Sequence, residues 1–289
     1  MGKSIKIALV PNLTKTGAYE VTLSVIELLK NGAELLMTAD LQTRFRAMEL
    51  RFFTTAEAMV EFCDILLTIG GDGTIIHASK EAALYQKPLL GINMGRLGFV
   101  AGLEPNETDK LSRLLSGDYT TEKRMMLQVT HISQDIRQSY YALNDAVISH
   151  GSISRLIDID VSMNNSPVCH YRADGLIIST PTGSSAYSLS AGGPVIEPTM
   201  SCLLMTPICS HALFARSVLF GSDSQIDVNV RCDDSDTLPC LTVDGDKPVA
   251  LGNDDIVRVT SAKRMTELIV LNEKPIYKIL KDKFTERGF

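Results

Sequence analysis

The chain of 289 residues is 45% hydrophobic and 21% charged, ordinary globular values that exclude a disordered, collagen-like or coiled-coil polypeptide. Its 28 Lys and Arg stand against 34 Asp and Glu, a formal charge of −6; no basic run is visible, so a broad grip on nucleic-acid phosphates is not expected. At about 150 residues per domain, the length suggests two domains or one large α/β unit.

The first third alternates strands and helices. Apolar IKIALV (5–10), a helical-period stretch near 18–31, and the runs ILLTIG (65–70) and PLLGIN (88–93) suit a parallel sheet buried on both faces. From about residue 121 helical periodicity becomes scarce. Strand-like runs follow one another there: RMMLQVTHI (124–132), YYALNDAVIS (140–149), LIDIDVSM (156–163) and GLIIST (175–180). They predict a mostly β second domain, interrupted by the Ser/Thr/Gly/Ala-rich stretch 180–193 with a helix after it. The C-terminal stretch returns to apolar VRVTSA and ELIVLN and the helix-like KPIYKILKDKF. The expected organisation is an α/β domain with a parallel sheet over 1–118, a mostly β domain over 119–256, and a segment 257–289 packing back on the first domain. The first boundary falls in the turn-prone end of LSRLLSGDYTTEK (111–123).

No apolar stretch reaches the roughly 18 residues of a membrane helix, and MGKSIKIALVPN turns polar too soon for a signal peptide. Lys6 stands where a myristoylation signal needs Ser or Thr, and the terminal RGF is no prenylation box. Cys63, Cys169, Cys202, Cys209, Cys232 and Cys240 form no CxxC pair, which fits the reduced thiols of a cytoplasmic protein better than a disulfide framework. His170 beside Cys169 has no second ligand pair at zinc spacing, so no metal site is assigned.

Two segments carry chemistry. In DILLTIGGDGTIIHASKEAAL (64–84) a buried-type strand runs into Gly70-Gly71-Asp72-Gly73-Thr74 and then a helix. Glycines allow close backbone approach, and the start of the helix offers free N–H groups to a phosphate. Neither a Rossmann fingerprint nor a Walker A pattern is present. An ordinary Asp-Gly turn is an equal alternative, but a carboxylate among phosphate-cradling glycines would repel an anion. Asp72 therefore suggests a base aimed at a hydroxyl, or a contact to a divalent cation. In ADGLIISTPTGSSAYSLSAGGP (173–194), Asp174 opens an apolar strand that turns into small hydroxyl residues. Ser185, Ala186, Tyr187 and Ser190 are of a size to line a nucleoside pocket with Asp174; composition alone favours a Ser-rich surface loop. No G-x-S-x-G nucleophile motif occurs.

These residues resemble the NAD kinase family. GGDGT (70–74) is shared with diacylglycerol, sphingosine and phosphofructo-kinases, whereas GINMGRLGF (91–99), Asn144-Asp145 and DGLIISTPTGSSAYSLSAGGP (174–194) resemble NAD kinases specifically. TPICSHALFAR (206–216) and TVDGD (242–246) extend the likeness to about residues 60–280. The resemblance implies phosphoryl transfer from ATP, or polyphosphate, to the adenosine ribose 2′-hydroxyl of NAD, giving NADP, with a divalent cation such as Mg²⁺. It implies a cytoplasmic homodimer or homotetramer. Asp72 is implied as general base, with Gly70, Gly71, Gly73 and Thr74 around the transferred phosphoryl group. Asn144 and Asp145 fall where the family binds ribose hydroxyls. Asp174 and the run Ser185, Ala186, Tyr187, Ser188, Leu189 and Ser190 fall where it binds the dinucleotide, and Asp246 at a further nucleotide position. His77, Arg155 and Arg172 stand at basic nucleotide-binding positions; for His77 and Arg155 a solvated helix-face or loop residue is nearly as good a reading. His211 reads as structural.

The chain departs from the family at several points. Asn-Glu becomes Asn144-Asp145, one methylene shorter; TGSTAY becomes TGSSAY, with Ser185 keeping the hydroxyl. DGQ becomes Asp244-Gly245-Asp246, an acid in place of an amide, within a sequence that also reads as a hairpin turn. PHxLxxRP becomes SHALFARS, with Ser210 and Ser217, a change in loop rigidity more than in chemistry. A lipid or sugar kinase sharing GGDGT, and a non-catalytic NADP-binding protein, are the rival readings.

Overall fold

The computed structural model describes residues 4–95, 98–151, 156–211, 215–231 and 238–272. One compact unit is formed by the chain up to Lys123 together with the segment from Met265 onward; Arg124–Arg264 forms a second.

The first unit is built on parallel strands β1 (Ile5–Pro11), β2 (Ala33–Thr38), β3 (Arg51–Phe53), β4 (Ile65–Gly70) and β5 (Leu89–Asn93), in the order β3-β2-β1-β4-β5. Helices α1 (Ala18–Leu29), α2 (Gln42–Phe45), α3 (Ala56–Phe62), α4 (Asp72–Tyr85) and α5 (Ser112–Ser116) accompany them. Every residue of β4 and β5 is buried, as expected of strands covered on both faces and written as continuous apolar runs. Ile7, Leu9, Leu67 and Ile92 pack with Val25, Ile26 and Leu29 of α1 in the core. The strand order reverses between β1 and β4, and in an open α/β sheet the crevice beyond the carboxyl ends of the strands at such a reversal is where ligands bind.

The second unit begins part-way along β6 (Thr120–Ser133) and continues through β7 (Ile136–Ala142), β8 (Asp145–Ser149), β9 (Ile157–Met163), β10 (Ser166–Ala173) and β11 (Gly175–Ser179). After the short helix α6 (Tyr187–Ser190) come β12 (Cys202–Ile208), β13 (Val218–Gly221), β14 (Ile226–Arg231), β15 (Cys240–Val243), β16 (Val249–Ala250) and β17 (Ile256–Val270). One antiparallel sheet runs β13-β12-β11-β8-β15-β16; in another, β10-β9-β14 continues onto the first half of β17. Alternate residues of each sheet, Ala146, Ile148, Leu176 and Ile178 from the first and Ile159, Val161, Val228 and Val257 from the second, share one apolar core. The end of β17 belongs to the first unit, where Leu268 pairs parallel to Leu89.

Three details differ from the sequence reading. YYALNDAVIS is two strands, β7 and β8, broken at Leu143 and Asn144. The expected helix after residue 193 is not formed; α6 lies within the small-residue stretch instead, and Pro194 and Pro198 remove amide donors from the segment that follows. VRVTSA and ELIVLN are one continuous strand, β17. Both crossings between units fall inside long strands, β6 and β17, where nothing in local composition marks a border. KPIYKILKDKF, Arg155 and Cys232 lie outside the described residues. Among the described residues no helix is long and apolar enough to cross a membrane.

Candidate functional site

In the first unit, the glycine-rich loop sits at the strand-order reversal. The amide of Asn12, just past β1, donates to the Ile69 carbonyl at 2.8 Å, and the amide of Met94 donates to Gly70 at 2.8 Å, fixing β4's end between its neighbours. Helix α4 starts at Asp72 itself, so this carboxylate stands at the positive end of the helix dipole, where negative charge is favoured. The amides of Thr74 and Ile75 close the first turn on the Gly71 carbonyl, at 2.9 and 3.3 Å. The glycines serve different ends. A Cβ on Gly70 would run into the Thr74 hydroxyl, whereas one on Gly73 would meet nothing within 4 Å. Gly70 answers a packing demand; Gly73 leaves exposed backbone beside Asp72.

Asp72 is half-buried, its Oδ1 fully so. Gly98 lies against it: a Cβ there would stand 1.9 Å from Oδ1 and 2.7 Å from Cγ. Gly73, Thr74 and the exposed His77, along one side of α4, line a cavity of about 640 Å³ with Asn12, Asp40 and Arg44. Among the described residues no three His, Cys, Asp or Glu side chains gather as a metal-binding set. That donor set does not build a cage for Mg²⁺, which in nucleotide enzymes is commonly held by one or two carboxylates together with the substrate's phosphates.

In the second unit, the turn between β7 and β8 is gripped from both neighbouring strands. The Asp244 carboxylate, in the turn after β15, accepts from the amides of Leu143 (2.8 Å), Asn144 (2.8 Å) and Asp145 (3.1 Å). On the other side, past the end of β11, the Thr180 amide donates to the Asn144 carbonyl at 2.8 Å and its hydroxyl to the Leu143 carbonyl at 2.5 Å. The register sets Asp145 opposite Ser179, on the sheet face away from core residues Ala146 and Ile178. Asp145 is 6% exposed. Burial, reinforced by the Asp244 charge, pushes its carboxyl up to about 7.

The segment after β11 uses part of its hydroxyls internally. Ser184 donates to the Pro181 carbonyl at 2.6 Å and accepts from the Ile196 amide at 2.9 Å. Ser188, expected among the nucleotide contacts, is fully buried, and its hydroxyl lies 2.8 Å from that of Thr206; that side chain serves the fold. Ser185, Ala186 and Leu189 are half-buried, while Tyr187 and Ser190 are exposed. Asp174 precedes the first residue of β11 and so stands at the opposite end of that strand from Thr180. There its carboxylate approaches His150, Nε2 to Oδ1 being 4.0 Å. Arg172 is exposed on β10, opposite Asp158. Asp246 is exposed, and its amide closes a tight turn on the Val243 carbonyl at 3.0 Å. Asp244 (φ 50°) and Gly245 (φ 75°) fill the two central positions of that turn, the left-handed pair that Asp-Gly hairpins favour.

The structure thus gathers Gly70–Thr74 and His77 in one unit, and Asn144, Asp145 and the start of the 180–190 segment at one end of a sheet in the other. The sequence reading did not find the Gly98–Asp72 approach or the grip of Asp244 and Thr180 on the turn. The only trace of the latter is the Asp-Gly pair, which reads as a hairpin.

Residues 7–119 match the family model described as ATP-NAD kinase N-terminal domain, and residues 143–271 the ATP-NAD kinase C-terminal domain. The NAD kinase of Thermoanaerobacter sp. (strain X514) is 35% identical over 285 residues, covering 98% of this chain and 99% of the relative. That of Symbiobacterium thermophilum is 44% identical over 224 residues, 77% of this chain and 78% of the relative. Two solved structures share the fold. Yeast NADH kinase complexed with NADH gives a TM-score of 0.86 at 24% identity, covering 100% of this chain and 90% of that one. An NAD kinase from Archaeoglobus fulgidus in complex with ATP gives 0.73 at 22%, covering 96% and 98%. Matches running through both units go well beyond the GGDGT loop shared with lipid and sugar kinases: the chain is an enzyme of the NAD kinase family.

Proposed function

We propose that this enzyme transfers the terminal phosphoryl group of ATP to the adenosine ribose 2′-hydroxyl of NAD, with Asp72 as general base. The observation that carries the reading is the position of Asp72 on the first residue of α4, backed by Gly98 and beside the open backbone of Gly73. A sugar hydroxyl is a weak nucleophile, and phosphoryl transfer depends on positioning and charge stabilisation. The 2′-oxygen bonds to phosphorus as the bond to ADP breaks, and its proton passes to the Asp72 carboxylate. The exposed loop backbone and the first amides of α4 suit phosphate oxygens.

Asn144 and Asp145 meet the ribose hydroxyls, while Ser185, Ala186, Tyr187 and Ser190 receive the dinucleotide, with Asp174 and Arg172 at its periphery. ATP as donor is supported by the Archaeoglobus kinase, solved in complex with ATP; a dinucleotide acceptor is supported by the yeast kinase, solved with NADH. A divalent cation such as Mg²⁺, brought by the nucleotide, would neutralise charge on the phosphates; no residue here is assigned to hold it. We place the enzyme in the cytoplasm as a homo-oligomer.

Purified protein incubated with Mg²⁺, ATP and NAD is expected to form NADP, read through an NADP-specific dehydrogenase. Parallel reactions with polyphosphate and with NADH fix donor and acceptor. NADP formation from polyphosphate but not ATP would reassign the donor, and no NADP from either would remove the proposal.

A further inference from the structure

We infer that Asp244 is a positioning residue of the dinucleotide site: its carboxylate shapes the turn that presents Asn144 and Asp145. The inference rests on the proposal that those two residues meet the dinucleotide. Three consecutive amides, of Leu143, Asn144 and Asp145, converge on this one carboxylate at 2.8, 2.8 and 3.1 Å. In return, the Asp244 amide donates to the Asp145 carbonyl at 2.9 Å. Hydrogen bonds to an ionised acceptor are the strong class, and three on one carboxylate fix a backbone that otherwise has the freedom of a loop. Asp244 reaches them from a left-handed conformation, φ 50°, which Asp tolerates better than most side chains. Thr180 takes the turn's carbonyls from the opposite side.

With its backbone groups satisfied, the turn still carries buried polar atoms. Among the described residues neither Asn144 Oδ1 nor the Ser179 hydroxyl, both buried, has a hydrogen-bond partner. Ser179 is the cross-strand neighbour of Asp145. Buried polar atoms left over in a native fold call for an explanation, and a bound ligand or water supplies one. Of the strands flanking β8, β11 sets the neutral Ser179 opposite Asp145, and the turn after β15 brings Asp244, the one charge that acts appreciably on it. The Asp244 carboxylate therefore holds the turn and also adds to burial, the larger cause, in opposing ionisation of Asp145, whose carboxyl is pushed up to about 7.

The test is NAD affinity by calorimetry from pH 5.5 to 8.5 for wild type, Asn144→Ala, Asp145→Asn and Asp244→Asn. In Asp244→Asn the amide has one acceptor oxygen, no charge, and an NH₂ group that cannot accept from the turn. Its Kd for NAD is expected to rise about 10–100-fold. Its pH break is expected below the wild-type break near 7, because the charge that raises Asp145 is gone; Asp145→Asn should have no such break. A merely structural Asp244 would not move the break. Weakened binding in Asn144→Ala with wild-type affinity and break in Asp244→Asn would overturn the inference and leave the site assignment standing. Unchanged binding in Asn144→Ala would overturn both. If Asp244→Asn does not fold, Asp244→Ser, whose short neutral hydroxyl cannot hold the three amides together, takes its place: weaker NAD binding with a lowered break supports the inference, and wild-type affinity and break overturn it.

Discussion

Gly98 packs directly on Asp72: a methyl added at its Cα would stand 1.9 Å from the carboxylate's Oδ1. The residues are 26 positions apart in sequence; the contact crowds the buried Oδ1 of the proposed base, and the next residue in the chain, Gly73, is exposed. Alanine at Gly98 must displace the carboxylate, since a Cβ there would also stand 2.9 Å from Oδ2. Gly98→Ala is expected to lower kcat about 10²-fold, the usual consequence of misplacing a reacting group by an ångström. Because Gly98 is itself buried, a melting curve first establishes that the variant is folded. Full activity in a folded Gly98→Ala protein would show that Asp72 is not held by this contact.

Asp72→Asn isolates the proton-accepting role from the shape of the loop. The amide is isosteric and keeps the start of α4 intact, but it cannot take the hydroxyl proton. A fall in kcat of about 10²–10⁴-fold, with NAD affinity within a few-fold of wild type, is expected of a lost general base. Single-turnover kinetics beside a binding isotherm separates the two quantities; wild-type turnover in the variant would remove Asp72 from that role.

What could be read in the sequence is what is local. ILLTIG and PLLGIN are buried on both faces and so carry uninterrupted apolar runs, and they became β4 and β5. GGDGT is a loop and helix start within five residues, so its spacing already contained the geometry around Asp72. The remainder is made by residues distant in the chain. Asp244 meets Asn144 across 100 positions, and the strand break at Leu143 exists because Asp244 and Thr180 take its backbone groups. No alternation of apolar and polar residues encodes that, and YYALNDAVIS read as one strand. Ser188 looked like its neighbours in a run of small residues; only the fold shows its hydroxyl turned to Thr206.

Tyr187 is 47% exposed at the head of α6, among small residues. A large aromatic left open to solvent beside half-buried Ser185 and Ala186 suits a platform for a flat ring. Tyr187→Ala is expected to raise KM for NAD about 3–10-fold, the range of an aromatic stacking contact, with KM for ATP unchanged. Tyr187→Phe should behave as wild type if the ring face, and not the hydroxyl, does the binding. Unaltered NAD saturation in Tyr187→Ala would argue against the platform.

Asp145 makes stability depend on pH in a direction opposite to most carboxylates. Its carboxyl is raised from 3.8 to about 7, first by burial and then by the Asp244 charge, so the folded protein binds a proton that the unfolded chain releases. The resulting contribution is fully present below pH about 4 and is lost as pH rises through 7. Asp145→Asn carries no charge at any pH and escapes that loss. Its stability relative to wild type is therefore expected to increase between pH 5 and pH 8 by roughly 2–3 kcal/mol, since each tenfold difference in proton affinity between the folded and unfolded states is worth about 1.4 kcal/mol. Chemical denaturation of both proteins at the two pH values measures it. The same variant should bind NAD more weakly if the carboxyl meets the ribose, so a protein whose stability relative to wild type grows towards mild alkali while it holds its substrate less well is the expected pairing. A stability difference that does not vary with pH would mean that Asp145 ionises in the folded protein as it does in the unfolded chain.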